Sequence, residues 1–308
     1  MKIKDITKYI EEIAPLQNAE DFDNVGLLVG DYNDAVSGVL VTLDTLENIV
    51  DEAIEKRCNL IVSFHPIIFS GLKKLNGKNY VERTVVKAIK NNIAIYSMHT
   101  ALDNSNAGVN AKISEVLGLI NQKILIPKKG IIRKLTAYVP KNDADKLRKS
   151  LFSAGAGNIG NYDQCSFNTE GYGTYRGNEK SNPTLGKKGS LHTEEETIIS
   201  LIFEKRVEGK IIEALFQNHP YEEVAYDIVS LENSHQEIGM GMIGEFENAM
   251  SEEDFLNHVK KNMKTDCIRH SKLLGKSVKK VAVLGGSGSF AIGHAIAANA
   301  DAYVTSDV

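Results

Sequence analysis

Two histidines and an aspartate, His65, His99 and Asp103, stand where apolar runs give way to polar residues. The run Leu60-Ile61-Val62-Ser63-Phe64 delivers His65-Pro66. The run Ile93-Ala94-Ile95-Tyr96-Ser97 delivers His99, with Asp103 four residues on. Imidazole and carboxylate together suit zinc, manganese or iron, so His65 and Asp103 are candidate metal ligands. His99 is the candidate catalytic residue, with three roles open to it. It can be a ligand, a partner that orients one, or a general acid/base beside a metal-bound water. The plain alternatives are a structural histidine before proline at 65 and a buried histidine bonded to a carbonyl at 99.

These residues need a scaffold that brings strand ends together. Val39–Leu43 reads as a buried strand ending at Asp44, Leu60–Phe64 as the next, and Ile93–Ser97 as a third. Helical spacing fills the gaps, over Leu46–Cys58, Val81–Ile89 and Val109–Leu117. Near-continuous apolar strands alternating with helices predict βαβ units and a parallel sheet covered on both faces. Ligands of such sheets sit outside the carboxyl ends of the strands, where Asp44, His65, His99 and Asp103 all fall. Ahead of them, Ile3, Ile6, Ile10 and Ile13 mark a helix whose first turn Asp5 can cap. Asp23 and Asn24 precede a short strand that stops at Gly30, and read as ordinary turn chemistry.

The pattern changes near Pro127. Arg133–Val139 alternates as a strand, Asp143–Ala154 is helical, and residues 155–192 are rich in Gly, Asn, Ser, Thr and Tyr, as hairpin turns and bulges are. Ile198–Phe203 reads as a strand, Val207–Phe216 as a helix and Tyr221–Leu231 as a strand. The order β-α-β-β-α-β is the split βαβ, ferredoxin-like pattern. The expected architecture is an α/β body in two segments, 1–127 and 233–308, with an inserted ferredoxin-like α+β domain over 128–232. His219, Tyr221, Glu222 and Glu223 at the start of its last strand read as a solvated strand start.

In the second segment of the body, Phe255–Met263 is helical. Val281–Leu284 is then followed by Gly285-Gly286-Ser287-Gly288, a helix over Ile292–Ala300 and a strand over Ala302–Val304. Gly286 to Ala291 fits G-x-G-x-x-A, with Asp307 about 20 residues on, so a dinucleotide site is one alternative. Glycines that let backbone approach a site, or a phosphate at a helix N-terminus, are the other.

The bulk numbers exclude several classes. The 308 residues suggest about two domains. A net charge of -4 with 25% charged residues gives no basic footprint for nucleic acid. The three cysteines, Cys58, Cys165 and Cys267, are far apart and suit reduced thiols in a cytoplasmic protein. No apolar run approaches the ~18 residues of a membrane span, and the start of the chain shows no signal peptide.

Taken together, the motifs resemble the NIF-three-like dinuclear metal-centre proteins, also known as type-2 GTP cyclohydrolase I homologues. The resemblance rests on Asp23-Asn24-x-Gly26-Leu27, Ser63-Phe64-His65-Pro66, His99-Thr100-x-x-Asp103, and Gly285-Gly286-Ser287-Gly288 with Thr305 following. The insert resembles a PII/CutA-like domain, including His219-Pro220-Tyr221-Glu222-Glu223. What it implies is a pair of divalent ions (zinc, manganese or iron) held by a His-His pair, a bridging Asp, and a late His with a Glu four residues on. It also implies toroidal homohexamers whose sites face an internal cavity. His65 matches the second histidine of the pair, Asp103 the bridging Asp, and His99 a position close to the metals. Phe64 stands where many members have the first histidine, and phenylalanine cannot ligate. The late His and Glu have no counterpart before Val308, so the chain is expected to be cut short ahead of them, with metal binding weakened or lost. The expected function is a divalent-metal-binding protein, with metal-dependent hydrolysis of a nucleotide-like substrate as its activity. A non-catalytic metal-binding oligomeric scaffold or regulator is the alternative beside the dinucleotide binder.

Overall fold

A computed structural model describes residues 1–308. It divides into two compact units, one made of Met1–Pro127 with Glu237–Val308 and the other of Lys128–Gln236. In chain order the first segment holds α1 (Ile3–Ile13), β1 (Gly26–Val29), β2 (Val39–Thr42), α2 (Glu47–Glu55), β3 (Leu60–Ser63), α3 (Tyr80–Lys90), β4 (Ala94–Ser97), α4 (His99–Asp103), α5 (Val109–Val116) and β5 (Ile120–Pro127). The second unit holds β6 (Ile132–Pro140), α6 (Ala144–Ser153), β7 (Phe167–Tyr175), β8 (His192–Glu204), α7 (Glu208–Asn218) and β9 (Tyr226–Leu231). The chain then returns through β10 (Gly239–Ser251), α8 (Glu252–Asn262), β11 (Ser277–Ser287), α9 (Ile292–Ala297) and β12 (Ala302–Asp307).

The first sheet has the order β1-β4-β3-β2. Its two central strands, β3 and β4, are buried along their whole length, which is why they read as unbroken apolar runs. Because side chains alternate across a strand, each strand feeds two cores. Ile61 and Ile95 pack with Val50 and Ala53 of α2 and Val85 and Ala88 of α3. Leu60, Val62, Ala94 and Tyr96 pack on the other side with Ile3, Ile6 and Ile10 of α1. Asn79 caps α3 by accepting from the Glu82 backbone N–H at 2.8 Å, and the Glu82 carboxylate in turn accepts from Lys78 N–H at 2.9 Å. In α1 the cap runs backwards from the expected one: Asp5 accepts from the Lys2 backbone N–H at 2.8 Å.

Two expectations need correction here. The sheet is mixed rather than parallel throughout, because β1 runs antiparallel to β4 while β2, β3 and β4 are parallel. An antiparallel edge strand on a parallel sheet is common, and apolar runs alone do not encode strand direction. The strand at Val39–Leu43 is also not buried. As the sheet's edge it leaves Val41 75% and Leu43 60% exposed.

The second sheet, β12-β11-β10-β5, joins the two segments of the body. β10 is antiparallel to both β5 and β11, and only β11 and β12 are parallel. Neither β5 nor β10 is announced by the sequence. Gly239, Gly241 and Gly244 interrupt the apolar pattern of β10, and glycine weakens the signal of a strand. The glycines answer close backbone approach. At Gly239 φ is +154°, and a Cβ there would stand 2.1 Å from the Ile126 carbonyl oxygen.

The second unit has the sheet order β7-β8-β6-β9, antiparallel throughout. With a helix after its first and third strands, this is the split βαβ arrangement. Leu147 and Leu151 of α6 and Ile211 and Leu215 of α7 pack on Leu135, Ala137, Ile199 and Leu201 of the sheet. The glycine-rich stretch is less irregular than expected, because β7 lies within it, paired from Phe167↔Ser200 to Tyr175↔His192. Residues 219–225 are not a strand start. His219 is buried, its Nε2 bonded to Tyr138 O at 2.8 Å and its Nδ1 accepting from Tyr221 N–H at 3.1 Å. Burial pushes its imidazole pKa down, with the Tyr138 carbonyl working the other way.

Glu204 at the end of β8 lies between His235 and Arg206. Its interactions with them, His235 first, hold its carboxyl at about 2, against burial that raises it. A folded pKa below the unfolded one contributes stability above pH ~4.5 that is lost as pH falls toward 2. Glu204→Gln is expected to remove about 2 kcal/mol at pH 7 and to flatten the acid loss of protection in β6 and β8. Hydrogen exchange on the full chain between pH 7 and pH 3 reads this out. Equal protection of wild type and variant across that range would count against it.

Candidate metal centre

The carboxyl ends of β3 and β4 are laced together. Met98 N–H donates to Ser63 O at 3.2 Å and His99 N–H to Phe64 O at 3.0 Å, continuing the ladder past the strands. Ser97 Oγ donates to Phe64 O at 2.7 Å and Ser63 Oγ to His65 O at 3.0 Å. On the other side Phe64 N–H and His65 N–H reach Thr42 O and Leu43 O. This lacing brings His65 and His99 side by side, with ring centroids 5.5 Å apart. The Phe64 ring meets both edge-to-face, 5.0 Å from His65 and 5.4 Å from His99.

Each imidazole is held through Nδ1 by a carboxylate. His65 Nδ1 pairs with Asp44 Oδ1 at 2.7 Å in an exposed contact. His99 Nδ1 pairs with Asp23 Oδ1 at 2.9 Å, and there the aspartate side chain is fully buried. Asp23 also accepts from Thr100 N–H at 3.0 Å, Asn24 N–H at 2.8 Å and the Thr100 hydroxyl. Burial alone would raise its pKa. The hydrogen bonds from Thr100 and His99 outweigh that and hold the carboxyl below its ordinary value. His99 sits at φ +25°, outside the usual range for a residue with a side chain, and such strain persists only where neighbours fix it. Asp23 and the Phe64 carbonyl are those neighbours.

Asp103 lies one helical turn after His99 in α4, so the two share a face. Burial pushes its carboxyl up to about 6. His99 and His65 oppose the shift and the Asp23 charge adds to it. Its backbone carbonyl accepts from Asn110 Nδ2 at 3.1 Å, while Asn110 Oδ1 accepts from Gly285 N–H at 2.8 Å. Asn110 therefore ties the glycine run at the end of β11 to the helix that carries Asp103. The remaining glycines are engaged by β12. Gly288 N–H donates to Asp307 O at 2.8 Å, the Tyr303 hydroxyl donates to Gly288 O at 2.9 Å, and the Thr305 hydroxyl to Gly286 O at 3.0 Å. A dinucleotide site would need those groups open. The following helix, α9, has only six residues.

His65, His99 and Asp103 thus stand close enough to act on one another. The groups that orient them are where the sequence reading falls short. Asp23 is not turn chemistry but the fixed partner of His99, and Asp44 is the partner of His65. Only the motif Asp23-Asn24-x-Gly26-Leu27 marked Asp23 in advance. As donors the chain offers imidazole and carboxylate, which suit a divalent ion. With Nδ1–H given to a carboxylate, a neutral histidine presents its Nε2 lone pair, the usual way a ligating histidine is oriented. The donor set is short: no three histidine, cysteine, aspartate or glutamate side chains converge tightly enough to hold a metal ion by themselves.

The family described as Duf34/NIF3 (NGG1p interacting factor 3) matches residues 1–308. A Bacillus subtilis protein named GTP cyclohydrolase 1 type 2 homolog is 39% identical over 304 residues, covering 98% of this chain and 82% of its own. Among solved structures, a Bacillus cereus protein related to NIF3 superposes with a TM-score of 0.85 at 38% identity, over 100% of this chain and 83% of that one. Staphylococcus aureus protein SA1388 gives a TM-score of 0.78 at 31% identity, over 100% and 82%. No helix of this chain is long and apolar enough to cross a membrane.

Removing the Asp23 carboxylate leaves the Thr100 and Asn24 amides and His99 Nδ1 without their acceptor. Leaving buried donors unpaired costs about 1–3 kcal/mol each. Asp23→Ala is expected to lose at least ~2 kcal/mol in denaturant unfolding, and nitrogen NMR of His99 should show a mixed tautomer. An unchanged tautomer would remove Asp23 from the role of orienting partner.

Proposed function

This chain belongs to the Duf34/NIF3 family, and from that premise we propose that it binds a divalent ion through His65 and Asp103 and uses the site for hydrolysis of a nucleotide-like substrate. The observation that carries the reading is the pair of Nδ1–carboxylate bonds, Asp44 to His65 and Asp23 to His99. Each fixes an imidazole so that Nε2 is the nitrogen free to work. His65 Nε2 and the Asp103 carboxylate hold the ion. His99, backed by the buried Asp23 charge, takes up and returns a proton at Nε2, since a fixed carboxylate stabilises the imidazolium. A bound divalent ion supplies an acidified water and a polarised oxygen. The nucleotide-like substrate rests on the name the relatives bear. With two protein donors, half the four that a tetrahedral ion takes, the affinity is weak and the ion dialysable.

A second reading is a non-catalytic metal-binding scaffold that assembles with copies of itself. The exposed apolar edge at β2, Val41 with Leu43 just past the strand, favours it. Zinc or manganese titration of the purified chain, followed by a nucleotide turnover assay, separates the two. His65→Ala and Asp103→Asn are expected to abolish binding, and Asp44→Ala to weaken it about 10–100-fold. Metal uptake with turnover that His99→Gln removes supports the enzyme. Uptake without turnover, by an oligomer whose mass falls on Val41→Lys, supports the scaffold. Unchanged affinity in both His65→Ala and Asp103→Asn would refute the assigned ligands.

A further inference from the structure

Two phenylalanines carry the rim of the site outward from His99. The Phe69 ring lies 6.4 Å from the His99 ring at 81°, and the Phe22 ring lies 6.4 Å from Phe69. Both are open to solvent, Phe69 at 52% and Phe22 at 66%. Their backbone is nonetheless tied down. Asn24 Nδ2 donates to Ile68 O at 2.6 Å, joining the turn that bears Phe22 to the segment that bears Phe69. Asp23, next to Phe22, is the residue that Thr100 and His99 hold. Single exposed apolar residues are normal on a protein surface and carry no meaning. Here two rings adjoin, on fixed backbone, and continue a row of rings that starts with Phe64 and the imidazole pair.

We propose that Phe22 and Phe69 form a stacking surface for the flat aromatic ring of a ligand whose anionic end reaches the metal centre, so that these two residues set specificity for ring-bearing substrates. The proposal rests on the metal-binding reading of His65 and Asp103. Aromatic side chains stack on any flat π-face, with little regard to its substituents. They therefore select for the presence of a ring rather than for one base. The preorganised backbone lowers what must be ordered on binding.

The test uses the full chain saturated with Mn2+ and compares GTP with inorganic tripolyphosphate, each added as its Mn2+ complex, by calorimetry. The two probes share the anionic tail and differ by the nucleoside. GTP is expected to bind at least roughly tenfold tighter, the scale of one stacked base. Phe22→Ala and Phe69→Ala should each erode that preference while leaving tripolyphosphate unchanged. Phe69→Leu, which keeps apolar bulk without the ring, should behave as the alanine variant does. Far-UV circular dichroism checks that the exposed substitutions leave the fold intact. Equal affinity of the two probes, or a GTP preference that survives both alanine variants, overturns the proposal while the metal centre stands. So does a fall in oligomer mass in Phe22→Ala, which would assign the rings to a second copy of the chain. Failure of the wild-type chain to take up Mn2+ removes the centre itself, and the stacking surface with it.

Discussion

A carboxylate buried without compensation is among the most expensive things a fold can contain, and the Asp23 side chain is shut off from solvent. It is tolerated because every approach to it is a donor: the Thr100 amide and hydroxyl, the Asn24 amide and the His99 imidazole. These donors come from two places in the chain about 75 residues apart, as the 77-residue separation of Asp23 and Thr100 shows. Satisfying one charge therefore fixes the turn before β1 against the start of α4. The strained φ of His99 follows from the same demand. A relaxed residue there would cost Asp23 its His99 donor and leave the charge to Thr100 and Asn24 alone.

The rest of the body serves that contact at one remove. β3 and β4 lie in register, Ser63 beside Ser97, so the residues just past them emerge together. Ser63 and Ser97 are themselves buried, and their hydroxyls spend their hydrogen bonds on the carbonyls of His65 and Phe64. Serine suits the last position of each strand for this reason: an apolar residue at 63 would take the hydroxyl donor from His65 O, and one at 97 would leave Phe64 O to the His99 amide alone. On the far side Asn110 spans from Asp103 to Gly285, so the second sheet braces the helix that the first sheet launches.

What the sequence discloses follows from how local the physics is. β3, β4, α2 and α3 are legible because burial on both faces of a strand, or on one face of a helix, writes a short-range pattern. β10 is not legible, since its glycines record the closeness of β5, a partner more than a hundred residues away in the chain. The exposed edge of β2 is hidden likewise, for valine and leucine look the same at an edge as in the middle. The site divides in the same way. His65, His99 and Asp103 can be picked out because chemistry-bearing residues stand at strand ends. Asp44 also stands at a strand end, though its bond to His65 shows only in the fold, and Asp23 is an ordinary turn residue until the fold sets it 2.9 Å from an imidazole. The packing role of Phe64 could not be read either. Its type shows only that it is no ligand, while its contact with both histidines arises from the lacing of the strand ends.

The second unit enters the chain where it can do so at least cost to the first. β5 and β10 are antiparallel neighbours, and Pro127, the last residue before the insertion, pairs with Gly239. Were the intervening segment deleted, a short hairpin loop would close the same sheet. The inserted unit meets this geometry with its own ends together. Ile132 of its first strand pairs with Leu231 of its last, and His235 N–H donates to Lys128 O at 2.8 Å. Two adjacent ends joined to two adjacent ends need no rearrangement on either side, which is why insertions at such points are tolerated. The cost of closing a longer loop grows only with the logarithm of its length, so the sheet that braces Asp103 is little weakened by carrying a whole domain in its turn. The body that carries His65, His99 and Asp103 and the unit that interrupts it each have a hydrophobic core of their own.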